Sequence, residues 1–180
     1  MQQTGTQFQT GRRARLVLAV LVVAVLSGCW REDEDELRSR LDRWFSIGDT
    51  VAFHASPDCV AASFRLVQMQ VKSPLSVATA APDALRTLSH RGAVALDNPL
   101  QAPDAALIEI VNADRLTGMT MRRAALEGRL CMNEETESAF RYALDNPRSI
   151  LAFDAGSATL MLLDPHTGLL VVAKGAAEWL

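Results

Sequence analysis

The chain has 180 residues with 18 basic and 21 acidic side chains, a net charge of −3. That length bounds it to about one domain with a single core, and an acidic balance gives it no electrostatic reason to seek nucleic acid. The first thirty residues stand apart. Arg12, Arg13 and Arg15 lead into an unbroken apolar run from Leu16 to Leu26, and no acidic residue occurs before Glu32. A positive start followed by an apolar stretch is the layout of an export signal. The run is 11 residues long, about half of the roughly 20 that a spanning helix needs, and the charged Arg31-Glu-Asp-Glu-Asp-Glu36 follows almost at once. A permanent membrane span is therefore not expected.

The next residues, Leu26-Ser27-Gly28-Cys29, resemble the lipobox of bacterial lipoprotein precursors, in which small residues precede an obligatory cysteine. The resemblance covers the signal region alone. It implies that the Cys29 thiol takes a diacylglyceryl group, that a dedicated peptidase cuts between Gly28 and Cys29, and that residues 1–28 are lost. Each methylene buried in a bilayer contributes about 0.8 kcal/mol, so two or three acyl chains make a durable anchor. Trp30 in place of an acidic residue after the cysteine fits, by the habit of that family, transport to the outer membrane rather than retention at the inner one. An ordinary secretory signal with an incidental cysteine is the alternative. Arg12-Arg13 also hints at twin-arginine export, but Arg15 stands where that motif usually wants an apolar residue, which favours the general secretory route.

Residues 29–180 carry 15 basic and 21 acidic side chains, a net of −6. Residues 29–36 read as an acidic tether, and 37–180 as one domain without a long Gly/Ser/Pro linker, a low-complexity tract or a fixed-period repeat. The acids of the tether also suit a helix start. Leu37, Leu41, Trp44 and Phe45 share one face of a helix that Gly48 ends, with Glu34–Arg38 and Glu36–Arg40 paired outside. Val60, Ala62, Phe64 and Leu66 alternate as a strand, but the apolar phase switches to Val67, Met69 and Val71, which predicts a bulge near Leu66 and Val67. Pro82-Asp83 opens a short helix closed by Gly92, with Leu85 and Leu88 inward, and Ala93 to Leu96 is a brief strand before the Asn98-Pro99 turn.

Three helices follow: Pro103 to Val111, Met119 to Glu127 after Gly118, and Glu134 to Leu144 with Asn133 as its N-cap. Ile150 to Phe153, Thr159 to Leu163 and Leu169 to Ala173 then form an antiparallel meander separated by turns at 154–157 and 164–168. Two of these runs lack polar alternation, so both faces should be covered. The expected architecture is an α+β domain whose sheet joins the strand at Phe64 to the C-terminal meander.

The chemistry-bearing residues are few. His54, His90 and His166 include no pair at the i, i+3 or i, i+4 spacing of a helix-borne metal motif, so no metal and no catalytic residue is assigned. His54 lies near Asp58 and Cys59 in sequence, without the partner geometry that nucleophilic catalysis needs. No Gly-rich phosphate loop, G-x-S-x-G elbow or S-x-x-K pair is present, and no cofactor is expected. Glu134-Glu135-Thr136-Glu137 lacks the alternating ligands and central Gly of a calcium loop. Asp164-Pro-His-Thr-Gly168 resembles the turn in blades of quinoprotein-type β-propellers, but one copy builds no propeller, and a hairpin with Gly168 at positive φ accounts for it. Cys59 and Cys131 are the two cysteines besides Cys29, 72 positions apart. In an oxidising compartment they are expected to form a structural disulfide, since redox catalysis ordinarily uses C-x-x-C. The combined expectation is a membrane-anchored envelope domain that binds or scaffolds a partner protein. An envelope enzyme, hydrolase-like and built from distant segments, is the alternative.

Overall fold

Five α-helices and one seven-stranded sheet make up residues 32–176, the part of the chain that this structure, a computed structural model, describes. The leader and Cys29 lie outside the described residues. In chain order the elements are α1 (Glu34–Leu41), β1 (Ser46–Ala55), β2 (Val60–Gln68), β3 (Val77–Ala78), α2 (Ala81–Arg91), β4 (Ala93–Leu96), α3 (Pro103–Ala113) and α4 (Arg115–Gly128). A 3₁₀ turn (Arg129–Cys131), α5 (Glu134–Asp145), β5 (Ile150–Asp154), β6 (Thr159–Asp164) and β7 (Leu169–Lys174) complete it. The strand order is β1-β2-β7-β6-β5-β4-β3, antiparallel throughout except for β3 beside β4. The sheet joins β2 to the C-terminal meander, an α+β arrangement as the sequence patterns imply.

The apolar runs of the meander exist because both sheet faces are covered. Successive side chains of a strand point to opposite faces. Leu160 and Leu162 of β6, Val171 and Ala173 of β7 and Leu151 and Phe153 of β5 meet α2, α3, α4 and α5. Their neighbours Met161, Leu163, Leu170, Val172, Ile150 and Ala152 form a second core with Leu37 and Leu41 of α1, Trp44, Phe45 and the inward side of β2. All six residues of β6 are buried. Each such Leu contributes about 2 kcal/mol by leaving water.

Local chemistry places the covering helices. Asn133 accepts a hydrogen bond from the Thr136 amide at 2.8 Å to cap α5, whose Phe140 and Ala143 are buried. Gly92 closes α2 at φ +76°, a conformation that glycine adopts without strain. Gly118, expected to precede a helix, lies inside α4, whose cap is Asp114; a Cβ there would fall 2.4 Å from Val111 Cα of α3. The glycine is a helix-packing contact, which its sequence position alone does not distinguish from a break.

The N-terminal region departs furthest from expectation. The helix stops at Leu41, and Gly48 lies within β1 rather than ending a helix. Trp44 and Phe45 are buried all the same, because the turn after α1 folds them into the same core. Nor do the arginines of α1 pair with acids one turn back. Arg38 donates to Thr50 Oγ1 and the Gly48 carbonyl, both at 2.7 Å, and Arg40 pairs with Glu32. Arg38 and Glu34 instead meet at the Thr50 hydroxyl, which donates to Glu34 at 2.5 Å, so both tie α1 to β1. Glu32 is nearly covered, and the acids at 34–36 form the first turn of α1, so the stretch expected as a tether to Glu36 is part of the fold from Glu32 onward. The register shift expected near Leu66 and Val67 is present. Ser46 pairs with Gln68 and Ile47 with Leu66, leaving Val67 as the additional residue, and two further shifts in β1 bend this edge. Val67 and Met69 consequently face solvent.

Candidate functional site

Val60, Lys174, Thr159, Asp154 and Ala93 lie in register along one end of the sheet. The β1–β2 turn, residues 56–59, projects from that end, and Ser56 Oγ closes it by accepting from the amides of Asp58 and Cys59. Cys59 at the start of β2 is bonded to Cys131 of the 3₁₀ turn, with Cα atoms 5.8 Å apart. The bond ties the sheet to the segment that leads into α5. It also removes Cys59 from the group with His54 and Asp58 that a nucleophilic reading would need, since a disulfide sulfur carries no thiolate.

Beside the disulfide is a cleft of ≈ 360 Å³ between the outer strand and the start of α5. Ala52, Phe53 and His54 come from β1, Ala61 from β2, and Leu130, Cys131, Met132, Asn133 and Thr136 from the opposite wall. Two of the polar groups are already engaged. Asn133 caps α5, and the Thr136 hydroxyl is 3.1 Å from the Ser63 hydroxyl in a buried pair. His54 is the one titratable side chain of the lining, and no carboxylate lines the cleft with it. Asn133 also borders a shallower depression of ≈ 700 Å³ over the outer side of α5, lined by Glu134, Glu135, Ser138, Tyr142 and Thr167.

The other histidines do not converge on His54. His90 is in the last turn of α2, and His166 sits in the β6–β7 turn with its ring 6.0 Å from that of Tyr142. That turn is organised by Asp164, which accepts from Thr167 Oγ1 at 2.6 Å, from the amides of His166 and Thr167, and from Asn146 Nδ2 at 2.9 Å. Burial alone would raise the Asp164 pKa, but these donors outweigh it and hold the carboxyl below its ordinary value. Among the described residues, no group of three or more His, Cys, Asp or Glu is placed to hold a metal ion, and no helix is long and apolar enough to cross a membrane.

Two charged clusters complete this end: Glu137 of α5 pairs with Arg129 of the 3₁₀ turn and with Arg141, each at 2.5 Å, and Glu32 forms the other where the described chain begins. Burial pushes its pKa up, while Lys174 Nζ at 2.5 Å and the Arg40 guanidinium pull it down further, leaving it below the ordinary range. Cys29 lies outside the described residues. Sequence patterns do not disclose the cleft, because its outer wall is β1; the alternation of Ile47, Val51, Phe53 and Ala55 is the signal that marks that wall. Comparison with protein-family models, with curated proteins and with solved structures finds no match to the chain.

Proposed function

We propose that this chain is the precursor of a bacterial lipoprotein, acylated on Cys29, held at the periplasmic face of the cell envelope with the outer membrane favoured, and that its domain binds or scaffolds an envelope protein. The observation that carries the binding reading is the lining of the cleft beside the disulfide: apolar side chains from Ala61, Leu130 and Met132 together with one histidine, and no carboxylate or free nucleophile beside it. Such a surface is suited to take an apolar anchor side chain of a partner. The anchoring reading rests on Leu26-Ser27-Gly28-Cys29 and the apolar run before it. The ion cluster at Glu32 supports it by fixing the point at which an anchor chain would leave the domain.

Two measurements test the proposal. Wild-type protein incorporates labelled fatty acid and partitions with membranes, and Cys29→Ala abolishes both; retention of label in the variant sinks the lipoprotein reading. Mild crosslinking of the intact lipoprotein captures a defined envelope protein that Leu130→Arg, at an exposed residue of the cleft wall, loses without a change in melting temperature. An activity against ester or amide substrates, abolished by His54→Ala at unchanged melting temperature, would instead establish the envelope enzyme.

A further inference from the structure

The outward surface of α4 differs in character from the rest of this acidic chain. Met121, Ala124 and Ala125 face the core. On the opposite side Leu116, Met119 and Leu126 are 74 %, 49 % and 59 % exposed, and Arg115, Arg122 and Arg123 are exposed among them. At 3.6 residues per turn these six positions fall within one arc of about 120°. The arc holds three arginines and three large apolar side chains and is bordered by Glu127, whose carboxylate lies 3.7 Å from Arg123 Nε, in a sequence whose residues from Cys29 onward carry a net −6. Single exposed apolar residues need no explanation, but a contiguous apolar and cationic helix face marks a contact surface.

The place where the chain enters the domain identifies what that surface meets. Glu32 is held by Lys174 at the end of β7. The same stretch of chain packs on the last turn of α4: a Cβ on Gly128 would lie 2.8 Å from the Lys174 amide nitrogen, and the Ala176 amide donates to Glu127 at 3.0 Å. Only three residue steps separate Glu32 from Cys29, at most about 11 Å of chain. A lipid on Cys29 therefore keeps the C-terminal end of α4 close to the bilayer surface.

We propose that α4 lies on the bilayer to which the protein is anchored, with Leu116, Met119 and Leu126 in the headgroup boundary and Arg115, Arg122 and Arg123 against anionic phospholipid. This rests on the lipoprotein reading above. Charge decides against a second copy as the occupant, because two such arcs would oppose arginines to arginines. An anionic surface complements them, each basic residue near it improving the odds of contact by about fivefold.

The test uses the acylated protein reconstituted into vesicles with brominated acyl chains, of phosphatidylcholine alone or mixed with phosphatidylglycerol. Leu126→Trp is compared with Leu100→Trp, each after subtraction of the parent's emission. Leu100 is a suitable control, 93 % exposed and in the loop after β4, at the opposite end of the sheet from Lys174. Quenching is expected at position 126 and not at 100, stronger with phosphatidylglycerol, weakened by salt, and reduced about fivefold or more by adding Arg122→Glu and Arg123→Glu. Equal quenching at the two positions, or indifference to phosphatidylglycerol, overturns the proposal. So does a change at position 126 that depends on protein concentration in lipid-free detergent, which would assign the arc to a second copy. Labelled fatty acid is followed in the same preparations: an unlabelled parent fails the lipoprotein reading, whereas a labelled parent without selective quenching fails this one alone.

Discussion

The meander β5–β6–β7 and the hairpin β1–β2 belong to one sheet but are held in different ways. Every residue of β6 is buried, and its register with both neighbours is unbroken from end to end. β1 is half-exposed for most of its ten residues and reaches β2 through three register shifts. In the meander, apolar burial on two faces fixes the register, because a slip of one residue would exchange the two cores. At the edge, specificity comes from polar attachments: Arg38 to Gly48 and Thr50, Thr50 to Glu34, and the covalent link at Cys59. An irregular edge strand also resists pairing with another chain. A central strand and an edge strand therefore tolerate different kinds of damage.

Cavity formation should separate the two regions most. Leu162→Ala, in a side chain with no exposed surface, is expected to cost about 4 kcal/mol. Val51→Ala, half-exposed in β1, should cost about 1 kcal/mol or less. Urea denaturation of both variants measures the gap, and equal losses would mean that the hairpin is as tightly packed as the meander. Loss of the disulfide comes next in size. Closing a loop of 72 residues contributes about 4 kcal/mol in the chain-entropy account, commonly reduced in practice to about 3. Cys59→Ser and Cys131→Ser should lower the melting temperature alike, and the double variant little further, since one interaction is lost in all three. Additive losses, or two alkylatable thiols in freshly isolated native protein, would contradict the bond.

Turn chemistry sharpens the comparison further. Gly168 has φ +68°, so Gly168→Val should destabilise by about 1–2 kcal/mol. Gly48 has ordinary backbone, and a Cβ there meets a movable methyl of Val67 at 3.3 Å, so Gly48→Ala should change stability by about 0.5 kcal/mol or less. His166→Ala, in the same turn as Gly168, should be close to silent in thermal melts. Acid titration gives the smallest effect and a defined sign. Glu32 and Asp164 both have folded pKa values below their ordinary 4.5 and 3.8. Their stabilisation is complete above those values and is lost as pH falls through the lowered ones. Denaturation midpoints should thus hold steady above about pH 5 and decline below. Asp164→Asn should flatten the lower part of the decline and Lys174→Met the part due to Glu32; an unchanged slope in either would show that its carboxyl is not the titrating group.

What the sequence disclosed follows from this same division. Continuous apolar runs between turn residues mark β5, β6 and β7 within a residue of their observed ends, and Asn133 announces α5. The alternation from Val60 to Leu66 marks β2 as a further strand of the same sheet. β1 escapes because Trp44 and Phe45 extend the helical spacing of Leu37 and Leu41 past the true end of α1, and because its bulges blur the alternation. Gly118 is legible as a glycine but not as a contact, since its neighbour Val111 is met only after α3 and α4 have folded together. The disulfide could be proposed from compartment and count. The cleft beside it could not, because its walls come from residues 52–54, 61 and 130–136, which no local pattern connects.

The strand order has a consequence for the timing of assembly. β7 is the last strand among the described residues, yet it stands between β2 and β6. A chain emerging from the ribosome at about 5–20 residues per second holds its early hairpin without a neighbour until residue 174 has been made. The sheet closes in one late, long-range step, a slow kind of event because distant contacts must form before they are rewarded.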